Sequence, residues 1–226
     1  MLESNQTLGI LIQGRVSSWT RDIINEYNEI FPTAEIILQT WENENSENIN
    51  CKVIKIKLPF VPDSHPNTVN YQIAGCKEGL KNIHSDIVMK CRSDQIIHNK
   101  KIFEIFIQSC PPEKIMVPEL GTASKIIEHR VSDFCQVGFR DILLNYWNNI
   151  PLYTGIPWEE SGKYMSKYYV QNTKNDHDSW EISRKRYFYV KRFHEDFQIE
   201  WEKLNLFDNY KETYDLSYPN SAPIDD

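Results

Sequence analysis

The sequence lacks the spaced cysteine and histidine pairs that mark many metal-binding or disulfide-stabilised proteins. Its 226 residues include five scattered cysteines, none in a CxxC pair, and six histidines with no HExxH pair. Because the cysteine count is odd and the spacing is irregular, we expect reduced thiols in a cytosolic protein. A zinc site or a disulfide framework is disfavoured for the same reason.

Glycine-containing fingerprints are missing as well. The sequence has no GxGxxG motif, no GxxxxGK[ST] phosphate loop and no GxSxG nucleophile elbow. It therefore gives little support to a Rossmann dinucleotide site, a P-loop or Ser/His/Asp catalysis.

Long apolar runs and an excess of positive charge are also absent. No run approaches the about 20 residues of a membrane span, so any membrane contact is expected to be peripheral. The opening MLESNQTLG shows no basic segment followed by an apolar one, so no secretory signal is expected. The net charge of −7 argues against nucleic-acid binding, which favours a basic field.

The periodicity of the remaining sequence predicts an α/β fold. The order is strand, helix, strand, strand, helix, strand, which indicates a mostly parallel central sheet flanked by helices. Aromatic and charged residues are interleaved after Pro151, so we expect residues 1–150 to form the α/β core and 151–226 to add a segment and tail to the same domain. The tail from residue 214 is expected to be disordered or draped. The predicted strands are 8–14, 34–41, 51–59, 87–92, 113–121 and 134–138, and the predicted helices are 17–31, 67–86, 99–110 and 140–147.

Polar and aromatic residues follow several of these strands. Ligands collect at the carboxyl ends of the strands in open parallel sheets. The residues expected at this edge are Gln13, Gly14, Thr40, Trp41 and Asp94.

The stretch IVMKCRSDQII places three charged residues at the end of a buried strand. Lys90, Arg92 and Asp94 share one face by the two-residue period, which favours a polar cleft. Asp94 is suited to hold Mg²⁺ or Mn²⁺, but a salt bridge to Arg92 or Lys90, or a cap of the next helix, is the commoner role of a lone aspartate. Arg92 can clamp a phosphate or pair with an aspartate.

Three further carboxylates are candidates for acid–base chemistry. Asp133 can act as a base or orient a sugar hydroxyl, although turn capping is the commoner role. Glu159 and Glu160 follow Pro157-Trp158, where a carboxylate can deprotonate a hydroxyl or simply favour the first turn of a helix. A basic cluster, 184–192, is suited either to an anionic lipid head group or phosphorylated acceptor, or to a solvated helix face.

Three blocks of the sequence resemble a known family. GILIQGRVSSWTRDIINEYNEIFPTAEIILQTWE is similar to the opening of WavE-type lipopolysaccharide-synthesis proteins. NYQIAGCKEGLKNIHSDIVMKCRSDQII and VSDFCQVGFRDILLNYW resemble the blocks that follow, in the same order. The resemblance covers much of residues 8–150 and is faint beyond them.

The resemblance implies a GT-A-like single domain that uses a nucleotide-sugar in bacterial surface-polysaccharide assembly. Arg92-Ser93-Asp94 would then occupy the place of an Asp-x-Asp metal motif whose first acid is replaced by Arg92. Either Asp94 alone holds a divalent cation, Mn²⁺ or Mg²⁺, or the cation is dispensable and Arg92 supplies the positive charge. Tyr71 stands where a basic residue is expected before Gln72. The segment IPWEESGKYMSKYY is similar to a glutamate-containing segment that precedes the acceptor helix, which makes Glu160, or Glu159, the candidate base.

On these grounds we predict a metal-assisted glycosyltransferase that takes a nucleotide-sugar donor and a glycan or lipid-linked glycan acceptor. We expect it in the cytoplasm, with contact at most peripheral to the inner membrane and no nucleic-acid partner. Two alternatives stay open: a catalytically inactive nucleotide-sugar or glycan-binding domain, and a metal-dependent nucleotidyltransferase. The residues predicted to bind the nucleotide-sugar are Gln13, Gly14, Arg15, Thr40, Trp41, Gln72, Lys90 and Arg92. The predicted metal ligand is Asp94, and the predicted catalytic carboxylates are Glu160, Asp133 and Glu159.

Overall fold

The strands of the protein are short runs that are rich in aliphatic residues. The computed structural model describes residues 6–62, 68–123, 128–202 and 222–225. Within this part of the chain the strands are β1 Leu8–Gln13, β2 Glu35–Trp41, β3 Lys52–Ile56, β4 Ile87–Arg92, β5 Gln95–Ile97, β6 Ile115–Pro118, β7 Cys135–Phe139, β8 Phe188–Lys191 and β9 Ile199–Trp201.

The helices lie between these strands and carry one apolar face each. They are α1 Thr20–Ile30, α2 Val69–Asn82, α3 Ile102–Ser109, α4 Arg140–Asn149, α5 Ser161–Tyr168 and α6 Trp180–Tyr187, with π-helical segments at Tyr169–Thr173 and Phe193–Phe197.

Seven strands form one sheet in the order β3-β2-β1-β4-β7-β6-β8. Strands β1 to β4 run parallel, β6 and β8 are parallel to each other, and β7 runs antiparallel between β4 and β6. The expected fold class, α/β with a mostly parallel sheet flanked by helices, is confirmed. Strands β5 and β9 pair as a separate antiparallel ribbon.

Alternation along the strands divides the core into two layers. Ile10 and Ile12 of β1 pack on the side of α1 and α3, whereas Leu11 packs on the side of α2 and α4. Successive side chains of a strand point to opposite faces, so both faces of β1 and β4 must be apolar when helices cover both. Lys90 of β4 is fully buried on the α2 and α4 side, so its charge needs partners inside the protein.

The register of the sheet brings three strand ends together. Gln13, the last residue of β1, lies beside Gln39 of β2 and Arg92 of β4. Because all three strands run in the same direction, the residues that follow them emerge at one edge.

The segment after Pro151 contributes strands of its own. Strand β8 enters the main sheet beside β6, and β9 pairs with β5, directly after β4. The described part of the tail is draped: Ala222 N donates to Thr122 O (2.8 Å) and Asp225 N donates to Val190 O (2.9 Å). Tail residues 214–221 and 226 lie outside the described residues, and the division at residue 150 stays a prediction. Among the residues described, none of the helices has the length and apolar character needed to cross a bilayer.

Candidate functional site

A cleft with two lobes opens at the carboxyl edge of β1, β2 and β4. The first lobe has a volume of about 400 Å³ and lies over the ends of these strands. The second lobe, about 210 Å³, extends toward the start of α5. Thr68, Gln72 and Arg92 line both lobes, so the two cavities form one continuous site.

The sequence-predicted residues distribute over this cleft unequally. Three of them, Thr40, Lys90 and Glu159, line neither lobe. The first lobe is lined by the predicted residues Gln13, Gly14, Arg15, Trp41, Gln72, Arg92 and Asp94. The second lobe is lined by the predicted residues Gln72, Arg92, Asp133 and Glu160.

Gly14 forms the turn between β1 and α1. Its φ of +145° is one that side chains rarely adopt, and a Cβ there would lie 2.3 Å from Ser93 Oγ. Ser93 fastens this turn to the end of β4, since its Oγ donates to Arg15 O (2.5 Å) and its N donates to Gln13 O (3.1 Å). The floor of the first lobe is therefore a tight junction of two backbones, as the Gln-Gly strand end indicated.

The side chains of Arg92 and Asp94 form a bidentate pair. Arg92 Nε donates to Asp94 Oδ1 and Arg92 Nη2 donates to Asp94 Oδ2, both at 2.9 Å. Trp201 of β9 donates its Nε1 to Asp94 Oδ2 at 3.0 Å, and its ring centroid lies 5.4 Å from Arg92 Cζ. Of the roles that the sequence left open for Asp94, pairing with Arg92 is the one observed here.

These contacts decide whether a divalent cation fits beside Asp94. Both carboxylate oxygens accept hydrogen bonds from a guanidinium, which a cation would have to displace. Glu202, the other acid of the first lobe, accepts a hydrogen bond from Ser18. Over residues 6–62, 68–123, 128–202 and 222–225, no group of three His, Cys, Asp or Glu could hold a metal ion. The donor set at Asp94 does not fit a cation in this arrangement, so no step below is routed through one.

Lys90 supports the second lobe from beneath. Its buried Nζ donates to Asp133 O at 2.7 Å and lies 5.3 Å from the centroid of the Trp147 ring. Gln72 Nε2 donates to Asp133 Oδ2. Asp133 is thus fixed at two points: Lys90 holds its backbone carbonyl, and the amide of Gln72 holds its carboxylate.

Glu160 lies at the mouth of the second lobe, directly before α5. Burial raises the pKa of Glu160 above its usual range; the positive charge of Arg130, whose Nη1 lies 3.6 Å from Glu160 Oε2, opposes this shift, and the charge of Asp133 adds to it. The neighbouring Glu159 instead pairs with Lys167 at 2.7 Å. Of the two glutamates, only Glu160 faces the cleft.

Two aromatic residues wall the first lobe where a flat ligand can lie. The Trp41 and Tyr71 rings have centroids 5.3 Å apart, and Trp41 is almost fully buried. Tyr71 O accepts a hydrogen bond from Gln13 Nε2 (3.3 Å), which ties α2 to the end of β1. Thr40 is completely buried next to Trp41.

Sequence reasoning missed the contribution of β9. Trp201 and Glu202 line the cleft, and Glu202 N donates to Asp94 O (3.0 Å). The local sequence IEWE has no motif that announces such a role, and 107 positions separate Asp94 from Trp201. The pairing of β5 with β9 brings these two residues to the cleft, and no pattern in the sequence specifies that pairing.

Two arginines of the basic cluster, 184–192, form ion pairs within the protein. Arg184 is buried, and its Nη1 pairs with Asp225 Oδ2 at 3.1 Å. Arg186 pairs with Asp176 and Asp178. Two of its guanidinium groups therefore hold the fold together and are not directed at an anionic partner.

Comparison with solved structures identifies the fold. A 4-diphosphocytidyl-2C-methyl-D-erythritol synthase from Anaerococcus prevotii aligns with a TM-score of 0.52 and 11% identity, over 92% of this chain and 96% of that one. A nucleotidyl transferase from Methanothermobacter thermautotrophicus aligns with a TM-score of 0.50 and 12% identity, over 93% of this chain and 100% of that one. At such identity the likeness shows the fold alone, which is of the nucleotidyltransferase and GT-A-like type expected.

A third structure resembles the chain less well. Glucosyl-3-phosphoglycerate synthase from Mycobacterium tuberculosis, in complex with Mn²⁺, UDP-glucose and phosphoglyceric acid, aligns with a TM-score of 0.43 and 9% identity, over 63% of this chain and 64% of that one.

Comparison of the sequence itself identifies a family. The family model described as WavE lipopolysaccharide synthesis matches residues 10–214. No curated protein matches the chain.

Proposed function

Because the chain belongs to the WavE lipopolysaccharide synthesis family, we propose that it is a glycosyltransferase. It moves a sugar from a nucleotide-sugar donor to a hydroxyl of a bacterial surface glycan, lipopolysaccharide or capsule. The observation that carries this proposal is the position of Arg92 at the junction of the two lobes, with the carboxylates of Asp133 and Glu160 in the second lobe.

The first lobe suits the nucleoside diphosphate. It offers the guanidinium groups of Arg15 and Arg92 and an aromatic wall. Arginine binds phosphate oxygens in bidentate fashion, and fixed donors stabilise the charge that develops on a departing diphosphate. The acids of this lobe are already engaged by Arg92, Trp201 and Ser18.

The second lobe suits the acceptor hydroxyl. Transfer forms a bond between the acceptor oxygen and the anomeric carbon, breaks the bond from that carbon to the diphosphate oxygen, and releases the hydroxyl proton to a base. We assign Glu160 as this base, because it lines the second lobe and because burial raises its pKa, which makes its carboxylate a stronger proton acceptor than an exposed one. Asp133, held by Gln72, orients the acceptor through a hydrogen bond.

Charge on the leaving diphosphate is balanced by arginine in this proposal. The divalent cation expected from the sequence stays a prediction, and binding one at Asp94 requires that Arg92 first release both carboxylate oxygens. We expect nucleoside diphosphate binding and sugar transfer to persist in EDTA. Restoration of a lost activity by Mn²⁺ or Mg²⁺ would return the cation to the mechanism.

The decisive experiment measures donor use and nucleotide binding in paired variants. Wild-type protein is incubated with a panel of UDP-, GDP-, CDP- and dTDP-sugars, with and without glycan acceptors, and nucleoside diphosphate release is followed. Glu160→Gln should lower the rate by about 10²- to 10⁴-fold while nucleoside diphosphate still binds. Arg92→Met should weaken that binding itself. Glu159→Gln is the matched control, because its carboxylate pairs with Lys167 outside the cleft.

Two results would assign another function. Binding of a nucleotide-sugar without turnover, with every acceptor tried, would identify an inactive binding domain. The replacement of the first acid of the Asp-x-Asp motif by Arg92 favours this alternative. Release of pyrophosphate from a nucleoside triphosphate and a sugar phosphate would identify a nucleotidyltransferase.

A further inference from the structure

Five large apolar side chains are exposed on two loops beside the cleft. Phe60, Ile156 and Trp158 are 68%, 78% and 68% exposed, and Leu58 and Leu152 are 42% exposed each. Single exposed apolar residues are ordinary, but a group of them marks an interaction surface. We call residues 57–62 and 151–158 together the apolar loops.

Asn70 joins the two loops into one surface. It is fully buried in the first turn of α2, and its Nδ2 donates to Phe60 O (2.8 Å) and to Tyr153 O (3.0 Å). Its Oδ1 accepts a hydrogen bond from Tyr153 N at 2.6 Å. A side chain that hydrogen-bonds the backbones of both loops fixes their spacing, so the two loops lie next to each other.

The second loop is folded around Tyr153 and holds its exposed residues in place. The buried Tyr153 hydroxyl donates to Pro157 O (2.7 Å) and accepts from Glu159 N (3.0 Å). Its ring packs on Tyr164 with centroids 4.8 Å apart. Ile156 and Trp158 are therefore presented by a preorganised loop, which lowers the entropy lost on docking.

The chemistry of the apolar loops is that of a bilayer interface. Their sequences, KLPFVP and PLYTGIPW, contain a single charged residue, Lys57, in a chain of net charge −7. Tryptophan and phenylalanine beside aliphatic residues are typical of segments that lie at the level of lipid head groups. A protein partner needs a rim of hydrogen-bonding groups, and these loops offer few polar side chains.

The position of the surface links it to the reaction. Trp158 is two residues before Glu160, so their Cα atoms are no more than about 7 Å apart. We propose that the apolar loops dock on the interfacial layer of a lipid bilayer and that this brings the hydroxyl of a lipid-linked acceptor to Glu160. The bilayer contact stands on the loops alone, whereas the link to the acceptor rests on the proposed glycosyl transfer.

Vesicle binding tests the docking without any catalysis. The 226-residue protein is floated with vesicles of phosphatidylethanolamine and phosphatidylglycerol. The double variant Phe60→Ser/Ile156→Ser should bind at least about tenfold less, because two apolar side chains no longer leave water. Ile182→Ser is the matched control: Ile182 is 50% exposed on α6, outside the apolar loops, and its loss should leave binding unchanged.

Tryptophan fluorescence locates the contact. Of the tryptophans, Trp158 is exposed, Trp19 is half-buried, and Trp41, Trp147, Trp180 and Trp201 are buried. Vesicles with brominated acyl chains should quench the emission of the wild-type protein, and Trp158→Phe should remove most of that quenching. Urea unfolding is the control for folding: a variant whose midpoint urea concentration equals that of the wild type has kept the fold.

The outcomes separate the docking from the reaction. Absence of vesicle binding, or equal loss in Ile182→Ser, overturns the docking proposal, as does self-association of the wild type that the double variant abolishes. The link to the acceptor requires that Phe60→Ser/Ile156→Ser keeps wild-type turnover on a water-soluble glycan acceptor and loses turnover on the same glycan linked to lipid in vesicles. If vesicles bind normally but no donor is turned over, the proposed glycosyl transfer fails and the membrane surface stands.

Discussion

At the scale of single residues, Gly14 occupies a backbone position that does not accommodate a side chain. Its φ of +145° disfavours any side chain, and a Cβ at this position would lie only 2.3 Å from Ser93 Oγ. We predict that Gly14→Ala lowers the free energy of unfolding by about 1–3 kcal/mol, because strain and a clash add at one site. It should also weaken nucleoside diphosphate binding, since the turn forms the floor of the first lobe.

Urea unfolding and equilibrium nucleotide binding measure the two effects of Gly14→Ala. Gly138→Ala is the control, because its Cβ would make an ordinary 3.4 Å contact with Leu143 and lies away from the cleft. Equal stability of Gly14→Ala and wild type would show that the turn relaxes, and that the close contact with Ser93 does not destabilise the variant.

The ionisation of Glu160 is expected to control how the rate depends on pH. A general base acts when ionised, so the rate falls as the pH drops through its pKa, which burial raises. Arg130→Gln removes the positive charge that opposes this shift, so the acid limb of the kcat/KM profile should move to higher pH. Glu160→Gln should abolish that limb. An acid limb that stays in place in Arg130→Gln would assign it to another group.

At the scale of elements, the sequence predicts what is periodic and misses what is short. Strands β1, β2 and β4 are aliphatic runs with clear ends, and their parallel order follows from the helices between them. The three-residue strand β9 carries no such pattern, and its pairing with β5 depends on packing between distant segments. Alternation placed Lys90 correctly on one face of β4, but only the packing of α4 shows that its charge is met by Trp147 and Asp133 O.

The ribbon of β5 and β9 is held to α1 by a histidine between two glutamates. His98 Nδ1 lies 2.7 Å from Glu26 Oε1, and Nε2 lies 3.0 Å from Glu200 Oε2. Burial lowers the pKa of His98, but the hydrogen bonds and charges of Glu200 and Glu26 outweigh it, so the net shift is upward. Stability from a raised pKa is fully present below the unfolded value of about 6.5 and is lost as the pH rises through the folded value.

We therefore predict that the wild-type protein loses stability relative to His98→Gln as the pH rises from about 6 to above the raised pKa. Urea unfolding over this range measures the difference between the two proteins. His177→Gln, which alters a histidine in contact with Asn175 far along the chain, should keep the wild-type pH dependence. Parallel curves for wild type and His98→Gln would mean that the two glutamates do not hold the imidazolium.

At the scale of the whole molecule, residues 222–225 attach to the outer strand of the main sheet and to the helix before it. Asp225 accepts hydrogen bonds from Val190 N (2.8 Å) and Arg184 Nη1 (3.1 Å), joining the tail to β8 and α6. Arg184 is only 2% exposed, so removing its partner leaves a buried charge unpaired. The sequence predicted a tail that is disordered or draped, because its composition does not reveal that one aspartate has a buried arginine to meet.

We predict that Asp225→Ala lowers the free energy of unfolding by about 3 kcal/mol, the lower end for a broken buried pair, because Asp225 keeps partial contact with water. Arg184→Leu/Asp225→Ala should lose less than Asp225→Ala, since no unpaired charge stays buried. Lys185→Ala, which breaks an exposed pair with Glu181 at 4.0 Å, should change stability by less than about 1 kcal/mol. If the double variant were as unstable as Asp225→Ala, the cost would come from the lost hydrogen bond to Val190, and the tail would stabilise β8 through its backbone and not through the charge of Arg184.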